Sequence, residues 1–80
     1  MNGIQDGVAI VTGGGSGIGR QSSLRFAEAG AKVVVADVDE DGGHETTALI
    51  ERDGGEATFV RTDVTDSDDV AAMVQTALDE

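Results

Sequence analysis

Gly13, Gly14, Gly15, Gly17 and Gly19 fall within nine residues, VTGGGSGIG, directly after the apolar run Val8-Ala9-Ile10-Val11. Glycine is entropically costly to order, so such a cluster is kept where a Cβ cannot be tolerated. Between an apolar run and an amphipathic one, it sits where a helix N-terminus would offer free N–H groups and a positive dipole to a phosphate. In that setting Gly13 makes the tight turn leaving the strand. Gly17 lets a pyrophosphate approach the backbone, and Gly19 lets the helix pack close to the sheet. The alternative is a glycine-rich loop without a ligand, and the strand-before, helix-after context speaks against it. A P-loop is excluded, because Gly19 is followed by Arg20 and not by Lys with Ser or Thr.

The elements that must position this turn follow from hydrophobic patterning. Val8 to Val11 is continuous rather than alternating, as in a parallel strand covered on both faces. Gly17 to about Ala29 reads as a helix, closed by Gly30. Lys32-Val33-Val34-Val35-Ala36 is a second strand, β-branched and continuous. A second helix runs from about Asp39 to Asp53, with acids in its first turn and Gly54-Gly55 ending it. Glu56 to Thr62 is a third strand. Val70, Met73, Val74, Ala77 and Leu78 then form a helical stripe, and Thr65 with Asp68 resembles a capping box. Met73 is core filling on this pattern. Strand, helix, strand, helix, strand, helix predicts an α/β, Rossmann-like half of a doubly wound parallel sheet. The expected spatial order is third, second, first, with the strand around Ile10 at an open edge.

The glycine spacing is not Gly-x-Gly-x-x-Gly. It is Thr12-Gly13, three residues, then Gly17-Ile18-Gly19. This pattern resembles the short-chain dehydrogenase/reductase family, whose signature is T-G-x-x-x-G-x-G. Asp37 at the end of the second strand and Asp63-Val64-Thr65 after the third lie where that family places them, and the resemblance covers the whole chain. It implies that Gly13, Ser16, Gly17 and Ile18 line the pyrophosphate and adjoining ribose, with Gly19 completing the turn. It implies that Asp37 holds the adenosine ribose and that Asp63 with Val64 flanks the adenine.

The chemistry of Asp37 supports its assignment separately. A carboxylate accepts hydrogen bonds from both ribose hydroxyls but meets a 2′-phosphate charge against charge. NAD is therefore the expected cofactor. Ser16 agrees, because relatives that prefer NADP often carry a basic residue there. Asp37 also suits a helix N-cap or a loop acid, and Asp63 suits a turn cap.

Other candidates carry less. His44 is the only histidine and reads as a surface residue, so no metal site is expected. Asp66, Asp68 and Asp69 fit a helix N-terminus better than a calcium loop. Arg20 either helps with phosphate charge or faces solvent. In the resembled family, hydride transfer depends on a serine, a tyrosine and a lysine four residues beyond it. This chain has no tyrosine, its one lysine (Lys32) heads the second strand, and Ser16, Ser22, Ser23 and Ser67 are misplaced for the catalytic serine. The family's Asn-Ala-Gly motif is also missing. No catalytic residue is therefore assigned, and residues 1–80 are expected to be a half-domain truncated before the catalytic segment.

Composition bounds the rest. Eighty residues suit one small domain or part of a larger one, and 39% hydrophobic content is enough for a core. A chain this short buries only somewhat more than ~60% of its unfolded surface. The absence of cysteine rules out disulfides and a thiolate zinc site. No apolar run approaches membrane-spanning length, and the N-terminus lacks signal-peptide regions, so a cytoplasmic protein is expected. A net charge of −11 argues against nucleic acid or an anionic membrane as partner. That charge reads either as a well-solvated acidic surface or as adaptation to high salt.

The resemblance implies an NAD-dependent oxidoreductase acting on a small alcohol or carbonyl, homo-oligomeric when complete. The alternatives are a stand-alone nucleotide-binding module and half of an S-adenosylmethionine-dependent methyltransferase. The Thr12-Gly13 spacing argues against the latter.

Overall fold

The computed structural model describes residues 2–5 and 7–79, with side chains described from residue 7 onward. Three strands run parallel: β2 (Val8–Thr12), β3 (Lys32–Asp37) and β4 (Glu56–Arg61). Their register is continuous, with Val8 opposite Lys32, Thr12 opposite Ala36, Val33 opposite Ala57 and Asp37 opposite Arg61. Helices α1 (Gly17–Glu28) and α2 (Glu40–Arg52) connect them, and α3 (Ser67–Asp79) follows β4. This is the Rossmann-like arrangement expected from the patterning.

The edge beside Ile10 differs from expectation. A fourth strand, β1 (Asn2–Gln5), pairs antiparallel with β2, so Gly3 faces Ile10 and the sheet order is β1-β2-β3-β4. Ile10 thus has a strand on each side, and among the described residues it is β1, not β2, that lies at the edge opposite β4. The cause is local. Only Asp6 and Gly7 separate Gln5 from Val8, and Asp-Gly is a preferred two-residue hairpin sequence. Gly7 has φ +80°, which such a turn requires and which glycine adopts freely. With Asn and Gly among its four residues, β1 carries too little β-propensity to stand out by composition.

Strand pleating divides the core into two layers. Val33 and Val35 face α1 and α2 with Val11, Ile50, Leu24, Ala27 and Phe59. Val34 and Ala36 face the other way, packing with Val8, Met73, Val60 and Val70 beneath α3. Both faces of β3 are covered, so Val33 to Ala36 are all buried. This explains a continuous apolar run where a half-exposed strand would alternate. Met73 is 1% exposed and fills the core as its place in the stripe implies.

Helix ends follow the glycines. At the end of α1, Gly30 N–H donates to the Ala27 carbonyl and Ala31 N–H to the Phe26 carbonyl. At the end of α2, Gly54 N–H donates to Glu51 and Gly55 N–H to Ile50. Both pairs form a Schellman closure. Asp39 caps α2, accepting from Gly42 N–H at 3.0 Å. The start of α3 departs from the expected box. Asp66, not Thr65, accepts from the Asp68 and Asp69 N–H groups, while Thr65 turns back to donate to Asp63. Aspartate is a stronger N-cap than threonine, and Asp66 stands directly before the first helical residue.

Candidate nucleotide site at the carboxyl edge of the sheet

Because β2, β3 and β4 are parallel, the segments that follow them emerge at one edge. The glycine turn after β2, Asp37 at the end of β3 and Asp63-Val64 after β4 are therefore brought to the same end of the sheet. Open α/β sheets bind ligands at this end. The three segments are tied together by backbone bonds. Gly13 and Gly14 N–H both donate to the Ala36 carbonyl, at 2.7 and 3.2 Å, and Thr62 N–H donates to the Asp37 carbonyl at 3.0 Å.

Each glycine of the turn has its own reason. Gly13 adopts φ +70° as the chain leaves β2. Gly17 adopts φ +56°, and a Cβ there would meet nothing within 4 Å, so the backbone at the head of α1 is open to an approaching group. Gly19 serves a different contact from the one expected. A Cβ on it would collide with the Gly13 carbonyl, so it brings α1 against the turn itself and not against the sheet. A Cβ on Gly14 would lie 2.8 Å from Val35 Cγ1, and one on Gly15 would lie 2.8 Å from Asp37 Oδ2.

The donors at the head of α1 are left open. Ser16 is the N-cap residue, yet its side chain makes no capping bond. Arg20 N–H is the first to close onto the helix, at the Ser16 carbonyl. Among the described residues, the N–H groups of Gly17, Ile18 and Gly19 have no acceptor. Orphan donors at the positive end of a helix suit an anion.

Asp37 is half-buried, and both its oxygens are engaged. Oδ2 accepts Gly15 N–H at 2.9 Å and Oδ1 accepts Asp39 N–H at 3.1 Å. Each carboxylate oxygen has a further lone pair, so room remains for two hydroxyl donors. Asp63 is a turn acid in this structure. Its Oδ1 accepts Thr65 N–H at 2.9 Å and Thr65 Oγ1 at 2.6 Å. These bonds, the hydroxyl's first, hold its carboxyl below the ordinary carboxylate range, and Arg61 adds a small pull in the same direction. Ile18 and Val64 are apolar yet exposed, at 85% and 61%. Val38, beside Asp37, shares this exposure and was not singled out by sequence.

The remaining candidates resolve into structural parts. His44 is exposed, with its ring 4.7 Å from Phe59. Asp66, Asp68 and Asp69 organise the start of α3, and Asp69 also accepts Asp63 N–H at 3.0 Å. Arg20 neither faces solvent nor stands free for a phosphate. It bonds to the nearby Gly15 and to Gly42, Glu45 and Thr46 on α2, the last three too distant in sequence to leave a local signal.

Comparison with known proteins decides the family. The short chain dehydrogenase family model matches residues 7–80. This chain belongs to the short chain dehydrogenase family. It is 48% identical over 68 residues to an uncharacterized oxidoreductase of Thermotoga maritima, covering 85% of this chain and 27% of that protein. It is 51% identical over 72 residues to the short chain dehydrogenase/reductase astE of Aspergillus oryzae, covering 89% of this chain and 28% of that one. The chain therefore spans little more than a quarter of these relatives. Among solved structures, a Burkholderia phymatum family member in complex with NAD superimposes with TM-score 0.87 at 42% identity. That match covers 90% of this chain and 26% of the other. A metagenomic short-chain oxidoreductase in complex with NADP gives TM-score 0.83 at 34% identity, covering 89% and 32%. Short-chain dehydrogenases with either cofactor thus share this fold. No helix among the described residues is long and apolar enough to cross a membrane.

Proposed function

We propose that this chain is the NAD-binding part of an oxidoreductase that transfers hydride between NAD(H) and a small alcohol or carbonyl compound. The observation that carries this reading is the row of unanswered N–H groups at Gly17, Ile18 and Gly19, beside a half-buried carboxylate at Asp37. The donors suit a pyrophosphate, with Gly13 and Ser16 completing the turn, and the carboxylate suits a ribose diol. Val64 and Val38 suit the flat apolar faces of an adenine, with Asp63 at its flank, and Ile18 suits the pyrophosphate and adjoining ribose.

When bound, the nicotinamide would supply the hydride chemistry. This chain's own residues bind and orient the adenosine half and hold its charge. Proton transfer to or from the substrate oxygen needs a general acid or base. The family's tyrosine has no counterpart among these 80 residues, so they alone are expected to be inactive. NAD is preferred over NADP in this reading because Asp37 lies where a 2′-phosphate would bring further negative charge. The complete protein is read as a cytoplasmic homo-oligomer with no nucleic-acid or membrane partner.

The test is binding and turnover by the full-length protein. NADH fluorescence titration should show saturable binding, weaker for NADPH by at least about tenfold, the scale of one added like-charge contact. Oxidation of simple alcohols should follow NADH formation at 340 nm in the full-length protein and stay at the buffer rate in residues 1–80 alone. Absence of binding for both cofactors would remove the proposal.

A further inference from the structure

Arg20 is folded back beneath the glycine turn, with its side chain 24% exposed. Nη2 donates to the Gly15 carbonyl at 2.6 Å and to the Gly42 carbonyl at 3.2 Å. Nε donates to Thr46 Oγ1 at 2.9 Å, and Nη1 meets Glu45 Oε1 at 3.1 Å. A guanidinium has five N–H donors in a fixed fork, and most of these are already committed to α2 and the turn. Its charge is answered by Glu45.

Thr46 is 0% exposed and works on the neighbouring peptide. Its hydroxyl lies 2.8 Å from the Gly14 carbonyl and 3.1 Å from the Gly42 carbonyl, and donates to one of them at a time. Gly15 N–H, the other end of the Gly14–Gly15 peptide, donates to Asp37. Two consecutive peptide planes are therefore held by side chains from α1, α2 and β3. Gly14–Gly15 is held at both ends, by Thr46 and Asp37. Gly15–Ser16 is held at its carbonyl, by Arg20.

From this geometry we infer that Arg20, supported by Thr46, is a positioning residue for the anion-binding turn and does not itself touch the anion. The inference rests on the reading of that turn as a diphosphate site. A trans peptide holds its C=O and N–H in opposite directions. With the Gly15 carbonyl drawn toward α2, the Ser16 N–H is directed away from α2, and the start of α1 is fixed behind it. Successive glycines are otherwise the most freely rotating peptides in a chain. Ordering them during folding removes that cost from the binding step, which is how a residue without ligand contact raises affinity. The contacts need a planar fork reaching two carbonyls and a hydroxyl at once. An ammonium carries the same charge but lacks that shape.

The experiment compares ADP with adenosine as probes, by isothermal titration on the full-length protein and its Arg20→Met, Arg20→Lys and Thr46→Val variants. In Arg20→Met and Thr46→Val, ADP binding should weaken by about tenfold, the scale of a lost charged or buried hydrogen bond. Adenosine binding should weaken distinctly less than ADP binding, since adenosine does not meet the N–H groups at the head of α1 and feels the turn only through the Gly15 N–H bond to Asp37. Arg20→Lys should resemble Arg20→Met. The slope of ADP affinity against salt should match wild type in all three, because no phosphate contact is removed.

Wild-type ADP affinity in Arg20→Lys overturns the inference, as does a flatter salt slope in Arg20→Met. So do equal losses for ADP and adenosine, or unchanged ADP binding in both Arg20→Met and Thr46→Val. If Arg20→Met fails to fold, by its melting curve, Arg20→Lys and Thr46→Val carry the same comparison. Wild-type protein that binds neither ADP nor NAD overturns the nucleotide reading itself, a result distinguishable from the others.

Discussion

Replacing Asp37 separates two roles that the structure joins in one side chain. Its Oδ2 holds Gly15 N–H at 2.9 Å and its Oδ1 holds Asp39 N–H at 3.1 Å, while its remaining lone pairs are the proposed acceptors for the ribose. Asp37→Ala removes all of these. Hydrogen bonds to a charged group contribute about 1.5–3 kcal/mol each, so NAD affinity should fall by roughly 1–3 kcal/mol once water replaces part of what is lost. Asp37→Asn keeps one acceptor oxygen and drops the charge, so its loss for NAD should be smaller.

The effect on NADP has the opposite sign. Two unit charges 4 Å apart repel by about 1 kcal/mol in water and about 4 kcal/mol near a protein surface, and Asp37 is half-buried. Lifting that repulsion should move the NAD/NADP preference by at least about 1.4 kcal/mol, or tenfold, in both variants. Dissociation constants for NADH and NADPH, measured by fluorescence at low and high salt, give the answer. The shift should shrink with salt, because part of it is screened. Wild-type preference for NADP, or a ratio unmoved in both variants, would refute the reasoning and leave Asp37 as a loop acid that ties Gly15.

Gly19→Ala should cost more than about 2 kcal/mol of stability in chemical denaturation, because its Cβ meets the Gly13 backbone, which cannot rotate away. Gly17→Ala, with open space but φ +56°, should cost only about 1–2 kcal/mol of left-handed strain. Asp63 should titrate below the ordinary carboxylate range by carboxyl NMR, and Thr65→Val should bring its midpoint back up. Since its pKa is depressed on folding, its contribution to stability is present above the unfolded value and is lost as pH falls through the folded one. A net charge of −11 repels itself, so the melting temperature should rise as sodium chloride is added to about 0.5 M; a flat response would show that the acids are too dispersed to repel.

The parallel strands and three helices were legible because each is specified by its own residues. β3 is four consecutive apolar positions, Val33 to Ala36, between Lys32 and Asp37, and α1 and α2 both end on glycine. What was not legible depends on pairs far apart in sequence. Nothing near Arg20 indicates that its partners lie 22 to 26 residues away on α2, apart from the Gly15 carbonyl. Gly42 and Gly43 look like poor choices for a helix. They are required by what they touch, since a Cβ on Gly42 would lie 2.6 Å from the Gly15 carbonyl and one on Gly43 would collide with Phe59. The hairpin strand β1 is the opposite failure. Its signal is local, the Asp-Gly pair before Val8, but a four-residue strand containing glycine is too short to show a period.

The close approach of α2 explains how a turn with so many glycines becomes an ordered site. Gly42 brings the helix to the turn, and Thr46, one helical turn further on, reaches the Gly14 carbonyl from a fully buried position. Ala36, Asp37 and Thr46 then satisfy Gly13, Gly14 and Gly15, and Arg20 takes the last carbonyl before Ser16. The division falls at a single residue. Before Ser16 the N–H groups of Gly13, Gly14 and Gly15 and the carbonyls of Gly14 and Gly15 are answered by protein, and after it the N–H groups of Gly17, Ile18 and Gly19 are answered by nothing among the described residues. The first N–H groups of any helix lack an intrahelical partner, and with Gly17 and Ile18 exposed and Ser16 making no capping bond, those here are left to water or to a ligand. On the proposed reading, an anion at the head of α1 would find donors already aimed, their ordering completed by side chains it does not touch.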